Sequence, residues 1–269
     1  MSSANKALEL LSYFSAARPE VGLSQLCRIA GRDKATTYRY LQSLETAGLV
    51  EQNPTNRHYR LGPAIMQLAQ IREATVPRKA GAQGALTALA NATGETAHVS
   101  VLSGSTLYSL ASCESPMHST RAILDVTTLP LHATASGLCA LAFGASELFD
   151  VAVADPECFT PSTPTTADAL SQRIAMARDS GFGDADQSFE ADIRGISAPV
   201  FDHTGQFAGA VAVASVAARF TPSLDHKVRT NLIIASREIT RNWGGTLPAR
   251  IEAAWARSHS QIPALEPSS

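Results

Sequence analysis

Cysteine is sparse and unpaired. The four thiols, Cys27, Cys113, Cys139 and Cys158, form no CxxC pair and no Cys/His cluster at zinc spacing. That argues for reduced thiols in a cytoplasmic protein and against a structural metal. Long hydrophobic runs are missing as well: the longest, near Phe207 to Ala218, is too short and too rich in alanine to span a bilayer. The amino terminus MSSANKALELL has no uninterrupted apolar core followed by a small-residue cleavage site, so the chain reads as soluble and unprocessed, with no membrane partner. No G-x-S-x-G elbow, zinc-ligand pair or glycine-rich phosphate loop organises His98, His132, Ser136, Cys139 and the nearby acids. No catalytic residue, metal or cofactor is therefore expected. Ser3 and Lys6 fit the S-x-x-K spacing of some acylating enzymes, but a capping serine and a solvated lysine explain them better.

Excess charge of either sign is also lacking, with a net charge of -2 and a pI of about 6.4. Its distribution is uneven. Residues 1–62 carry eight Lys and Arg against five acids, a net +3, which leaves -5 for the remainder. A basic amino-terminal unit joined to a larger acidic one suits a DNA reader with an attached regulator. At 269 residues the chain has room for both.

What is present begins with helical periodicity. Ser3 is a candidate cap for a helix whose apolar positions are Ala7, Leu8, Leu11 and Phe14, and Pro19 prevents its continuation. A second helix is predicted from about Ser24 to Ala30, with Leu26 and Ile29 inward and Gly31 in the turn after it. The third, KATTYRYLQSLETAGLV, begins after Asp33 as a candidate N-cap. Thr37, Leu41, Leu44 and Gly48 fall on one face, while Ala35, Arg39 and Gln42 point away and Thr36 and Tyr38 flank them. Two short helices about a glycine turn make a helix-turn-helix, whose second helix enters a major groove. LVEQNPTNRHYRLG then reads as strand, turn at Asn53 to Asn56 and return strand, a wing with Arg57 and His58 beside its tip. The residues placed on DNA are Lys34, Thr36, Thr37, Tyr38, Arg39 and Gln42 in the groove, with Arg57 and Arg60 near the phosphate backbone.

The chain resembles the IclR family of bacterial transcriptional regulators. The likeness rests on the winged-helix stretch with its return RHYRLG, on LPLHATASGLCALA from Leu129 to Ala142, and on GISAPVFDHTGQFAGAVAVAS from Gly195 to Ser215 followed by RFT. The resemblance implies an α+β architecture: a winged helix-turn-helix over residues 1–62, a linker helix over 63–76, a GAF-like α/β effector-binding domain over 77–245, and a carboxy-terminal tail over 246–269. The residues point the same way. Ile65, Leu68, Ala69 and Arg72 repeat at helical spacing, and TAHVSVLSG and TLYSLASC read as strands about Gly104 and Ser105. Helices are predicted over about Thr134 to Phe143, Thr166 to Ser180 and Pro222 to Trp243, with a hairpin turning at Thr204 and Gly205. Beyond Trp243 the chain is expected to thin out, with PALEPSS disordered.

In that family a small-molecule pocket lies near the helix that starts in the HATASG block. A helix start offers unpaired N–H groups, so Thr134, Ala135 and Ser136 are candidates to receive a carboxylate or another anion. Leu131, Asp186, Gly195, Ala212 and Ala214 are carried over as pocket positions, with Glu190 beside Asp186 in a loop that serves equally well as solvated acids. Family members with small polar effectors commonly have serines at Ala212 and Ala214, a cysteine at Gly195 and a lysine at Leu138, and the segment before Gly195 here includes Ala191 and Asp192. These departures enlarge the cavity and remove polarity, which points to an aromatic or otherwise bulky acid or amide. His98 faces the same way as Ser100, with Tyr108 on the partner strand. The two can touch a ligand or form a partly exposed cross-strand pair, and the second reading is favoured. Arg121 is a candidate carboxylate clamp.

The sequence is thus read as a ligand-responsive regulator of a catabolic operon. It is expected to bind a near-palindromic double-stranded operator as a dimer or dimer of dimers. The rival readings are a protein-interaction module and an enzyme, each carrying a winged helix.

Overall fold

The computed structural model describes residues 2–15, 17–123 and 126–260. The chain divides into two compact units, Met1–Pro77 and Arg78–Ser269. In the first, helix α1 (Ser3–Leu8) continues into a 3₁₀ turn over Glu9–Tyr13. Its cap is Ser2, not Ser3: the Asn5 N–H donates to Ser2 Oγ at 3.2 Å. The tighter winding rotates the apolar stripe, so that Leu10 is buried and Leu8 exposed, contrary to the spacing expected of one continuous α-helix. Helix α2 (Leu23–Ala30) ends at Gly31 in the left-handed conformation, at φ +60°. Leu26 faces the core as expected, but Ile29 is exposed, because the short α2 meets its neighbours over only one narrow stripe.

Helix α3 (Lys34–Thr46) packs Tyr40, Leu41 and Leu44 against Leu10, Val21, Leu26 and Tyr59. Strands β1 (Val50–Gln52) and β2 (Tyr59–Leu61) pair antiparallel, and Val21 exchanges two backbone hydrogen bonds with Tyr59, both 2.9 Å. Helix α4 (Pro63–Thr75) has proline in its first turn and buries none of its residues.

The second unit is built on a five-stranded antiparallel sheet in the order β4-β3-β7-β6-β5. Its strands are β3 (Thr96–Ser103), β4 (Thr106–Cys113), β5 (Gly183–Asp186), β6 (Ile193–Phe201) and β7 (Phe207–Val216). Residues on β6 are buried on both faces, which requires cover on both. Helices α5 (Arg78–Thr93) and α9 (Pro222–Asn242) pack together over the face of Ile196, Ala198 and Val200. On the face of Gly195 and Ser197 lie α6 (Ala135–Phe143) and, behind it, α8 (Ala167–Ser180).

Two elements were not anticipated: α7 (Glu147–Ala154), and the strand β5, where a loop of solvated acids was one expectation. The expected thinning of the chain after Trp243 is corrected too. Residues 249–260 form α10 (Ala249–Ser260), whose Trp255 is buried against Phe182 and donates its indole N–H to the Gly181 carbonyl at 2.9 Å. PALEPSS lies outside the described residues. Among the described residues no helix is long and apolar enough to cross a membrane.

Candidate functional site

The recognition face is set by the start of α3. Asp33 Oδ1 accepts the Thr36 N–H at 2.9 Å, which holds its carboxyl below the ordinary value and fixes the first turn. Lys34, Tyr38, Arg39 and Gln42 are exposed and Thr36 is half-buried beside them. Arg39 extends over the Tyr40 ring, 5.7 Å from its centroid. Thr37 is different. It is fully buried and its hydroxyl donates to the Asp33 carbonyl at 2.9 Å, so it supports the helix from inside and cannot reach a base. The assignment of Thr37 to DNA is withdrawn.

At the wing, Arg57 adopts a left-handed conformation, at φ +61°, in a turn that Glu20 holds by accepting from Asn53 and Asn56 at 2.9 and 2.7 Å. Arg57 is exposed and has no ion pair among the described residues. Arg60 instead bonds Glu51 at 2.6 Å and lies 3.6 Å from Glu20, so its charge is already compensated.

In the second unit a cavity opens at the start of α6. Thr134 caps the helix by accepting from the Gly137 N–H at 3.0 Å and donates to the Pro130 carbonyl at 2.9 Å. Gly137 is required there: a Cβ would come within 2.3 Å of the Leu131 carbonyl oxygen. The space open to the centre of a water molecule is about 70 Å³, within a void of about 550 Å³ that includes the mouth. That is room for roughly half a dozen waters, the scale of one substituted ring.

Six of the expected positions, His98, Thr134, Ala135, Ser136, Gly195 and Ala214, come together on this cavity. Four do not. Tyr108 is 44 % exposed and stands opposite Val101, while His98 stands opposite Ser112, so the expected cross-strand pair does not exist. Leu131 is a core residue whose carbonyl packs on Gly137. Asp186, at the end of β5, faces Arg194 at 4.0 Å, and Ala212 is fully buried between His98 and Ser197 in register. Arg121 bonds Glu114 at 2.7 Å and does not line the cavity. Ala122, Ile123, Leu129, Ala133, Ala185, Phe189 and Ile193 complete the wall, and Glu190 stands exposed at its edge. Ala122 and Ile123 carry no periodic signal. They reach the wall because Thr96 Oγ1 donates to the Ala122 carbonyl at 2.7 Å.

The polar groups of the cavity are few, and two of them are unsatisfied. His98 Nδ1 and Ser136 Oγ are buried without a hydrogen-bond partner among the described residues. Burial pushes the His98 imidazole down to about 4, so it is neutral at pH 7, and desolvation raises the Glu190 carboxyl. Among the described residues no lysine or arginine lines the cavity. Beneath it, Cys139 is pushed up to about 12 by burial and Ser197 donates to its sulfur at 3.0 Å, which makes it an inert core thiol.

Known proteins share this fold and its order of domains. Residues 74–241 match the model of the bacterial transcriptional regulator IclR carboxy-terminal domain, and residues 3–54 match the IclR helix-turn-helix domain. The transcriptional regulator XynR of Escherichia coli is 26% identical over 90% of this chain and 97% of its own length. A glycerol operon regulatory protein of Streptomyces griseus is 29% identical over 88% of this chain and 92% of its own. Among solved structures, an IclR transcriptional regulator from Silicibacter sp. TM1040 superposes with a TM-score of 0.87 at 37% identity, covering 93% of this chain and 99% of that one. An IclR homolog from Microbacterium hydrocarbonoxydans complexed with 4-hydroxybenzoate gives 0.74 at 22%, covering 90% and 99%, a likeness of fold alone. With both family models matched in order, and the carboxy-terminal one alone spanning more than half its length, this chain belongs to the IclR family of bacterial transcriptional regulators.

Proposed function

We propose that the protein is a cytoplasmic regulator of a catabolic operon whose affinity for a near-palindromic operator is set by a bulky, single-ring organic acid or amide. The observation that carries this reading is the apolar cavity at the α6 start, with His98 and Ser136 buried beside it and unpartnered. Buried polar groups left unsatisfied cost about 1–3 kcal/mol each, and a ligand that satisfies them recovers that cost. Lys34, Thr36, Tyr38, Arg39 and Gln42 read the major groove, Arg57 meets the backbone, and Arg60 stiffens the wing. The domain divisions follow from this use: a DNA-binding part over 1–62, α4 as linker, and a GAF-like effector part from 77 onward that includes α10. The protein has no catalytic role in this reading. The complex of the Microbacterium relative with 4-hydroxybenzoate supports a ligand of one-ring size.

The linker helix supports self-association. Leu68 and Ile71, three residues apart on one face, are more than half exposed on a helix none of whose residues is buried. A second copy covers that face and gives the two-fold symmetry a palindrome needs.

Retention of genomic fragments by the purified protein, footprinted with and without one-ring acids and amides, tests the reading. A protected palindrome beside a catabolic operon, altered by one of the compounds, is expected. A folded protein that retains no specific fragment, either alone or with metabolite extract, would overturn it.

A further inference from the structure

We infer that the cavity selects an uncharged ligand, a one-ring primary amide or its close equivalent, over the corresponding carboxylate. This rests on the regulator reading above and narrows its ligand class.

Charge is the first ground. A carboxylate carried into an apolar enclosure needs a cation or a dense set of donors, because desolvation of an ion costs several kcal/mol. Among the described residues the wall has no lysine or arginine, its imidazole is neutral, and the one ionisable group at the edge, Glu190, is an acid. Positions able to supply a cation hold Ile123, Leu129, Phe189 and Ile193 instead.

Hydrogen bonding is the second. His98 Nδ1 and Ser136 Oγ lack partners among the described residues, in nine-tenths-buried side chains lining one cavity, so their bonds fall to a ligand or to the water that it displaces. A neutral imidazole presents one donor and one acceptor nitrogen, and a hydroxyl both gives and takes. A primary amide has a carbonyl to accept and two N–H groups to donate, and so satisfies either tautomer of His98 together with Ser136. A carboxylate only accepts. The start of α6 adds partial positive charge, which attracts a carbonyl oxygen less strongly than a carboxylate, but its Gly137 N–H is already taken by Thr134 Oγ1 and no cation on the described wall reinforces it. The bound 4-hydroxybenzoate belongs to a relative 22% identical in sequence and does not set the charge preference here.

The test compares matched pairs, benzamide with benzoate and 4-hydroxybenzamide with 4-hydroxybenzoate, by calorimetric titration of the full-length protein at pH 8. Each amide is expected to bind at least tenfold more tightly than its acid. Glu190→Gln should narrow the gap by strengthening acid binding a few-fold more than it changes amide binding. Ala214→Leu and Ile193→Phe, each checked for an unchanged far-UV spectrum, fill the cavity from its floor and its edge and should abolish amide binding. Acids bound as tightly as amides, neither amide bound, or amide binding that survives both filling variants would overturn the inference. Acids that bind as tightly as their amides and alter operator retention would sink the charge preference and leave the regulator reading standing. Loss of specific DNA retention would sink the regulator reading instead.

Discussion

The Arg219 guanidinium clasps the buried carboxylate of Glu95 through Nη2 at 3.0 Å and Nε at 3.3 Å, while its Nη1 donates to the Thr120 carbonyl at 2.9 Å. Glu95 is essentially inaccessible, and the His118 imidazole stands 3.7 Å from it. The clasp fastens the segment that carries Ala122 and Ile123 onto the cavity. Arg219→Ala should therefore cost about 3 kcal/mol in urea denaturation, because it strands a buried charge. Adding Glu95→Gln should recover part of that loss. A single variant within 0.5 kcal/mol of the parent would show that Glu95 is solvated when unpaired.

His98 makes stability depend on pH. Its folded value, about 4, lies below the unfolded value near 6.5, so the unfolded chain takes up a proton first as pH falls. This residue costs nothing above pH 6.5, and stability is lost between about 6.5 and 4. The slope is about 1.4 kcal/mol per pH unit, to a total on the order of 3 kcal/mol. His98→Phe should flatten that limb of the unfolding free energy against pH. An unchanged limb would assign the acid sensitivity to other groups.

Thiol labelling separates the cysteines by burial. Cys158 is exposed, Cys27 and Cys113 are half-buried, and Cys139 is sealed with its thiol pushed up to about 12. With an aromatic disulfide reagent at pH 8, Cys158 should react first and Cys139 only after denaturation. Mass spectrometry of the partly labelled protein reads the order directly.

Arg39 and Thr37 should fail in different ways. Arg39→Ala is expected to lose about 1–3 kcal/mol of operator binding and relax sequence preference, as for a base-reading arginine. Thr37→Val should cost about 1 kcal/mol of folding stability through the lost bond to the Asp33 carbonyl, with sequence preference unchanged. Anisotropy against operator and scrambled duplexes distinguishes them. Equal losses on both duplexes for Arg39→Ala would make it a phosphate contact.

Much of this fold is legible because its signals are local. The Asp33 and Thr134 caps, the left-handed Gly31 and the strand alternation of TAHVSV each depend on a few neighbouring residues. The misses depend on distant ones. A change of helical winding after Leu8 decides whether Leu8 or Leu10 is buried. GDAD becomes a strand because β6 offers it an edge, pairing Gly183 with Ser197 and Asp186 with Arg194. Beyond the two glycines at 244 and 245, α10 is held by Trp255 against Phe182, more than seventy residues earlier. Family resemblance and helix-start chemistry located the cavity at Thr134 to Ser136, yet placed Tyr108 in it, because sequence alternation does not specify the cross-strand register.

An interior without fixed cations also separates how the two halves respond to ionic strength. Phosphate contacts, such as the one proposed for Arg57, release counterions, so operator affinity should fall as salt rises. A ligand held by neutral groups behind an apolar wall feels little screening. Osmotic shifts in the cell would then loosen the protein's grip on DNA while leaving its sensitivity to metabolite unchanged, and one salt titration monitored for both partners would record two curves of different slope.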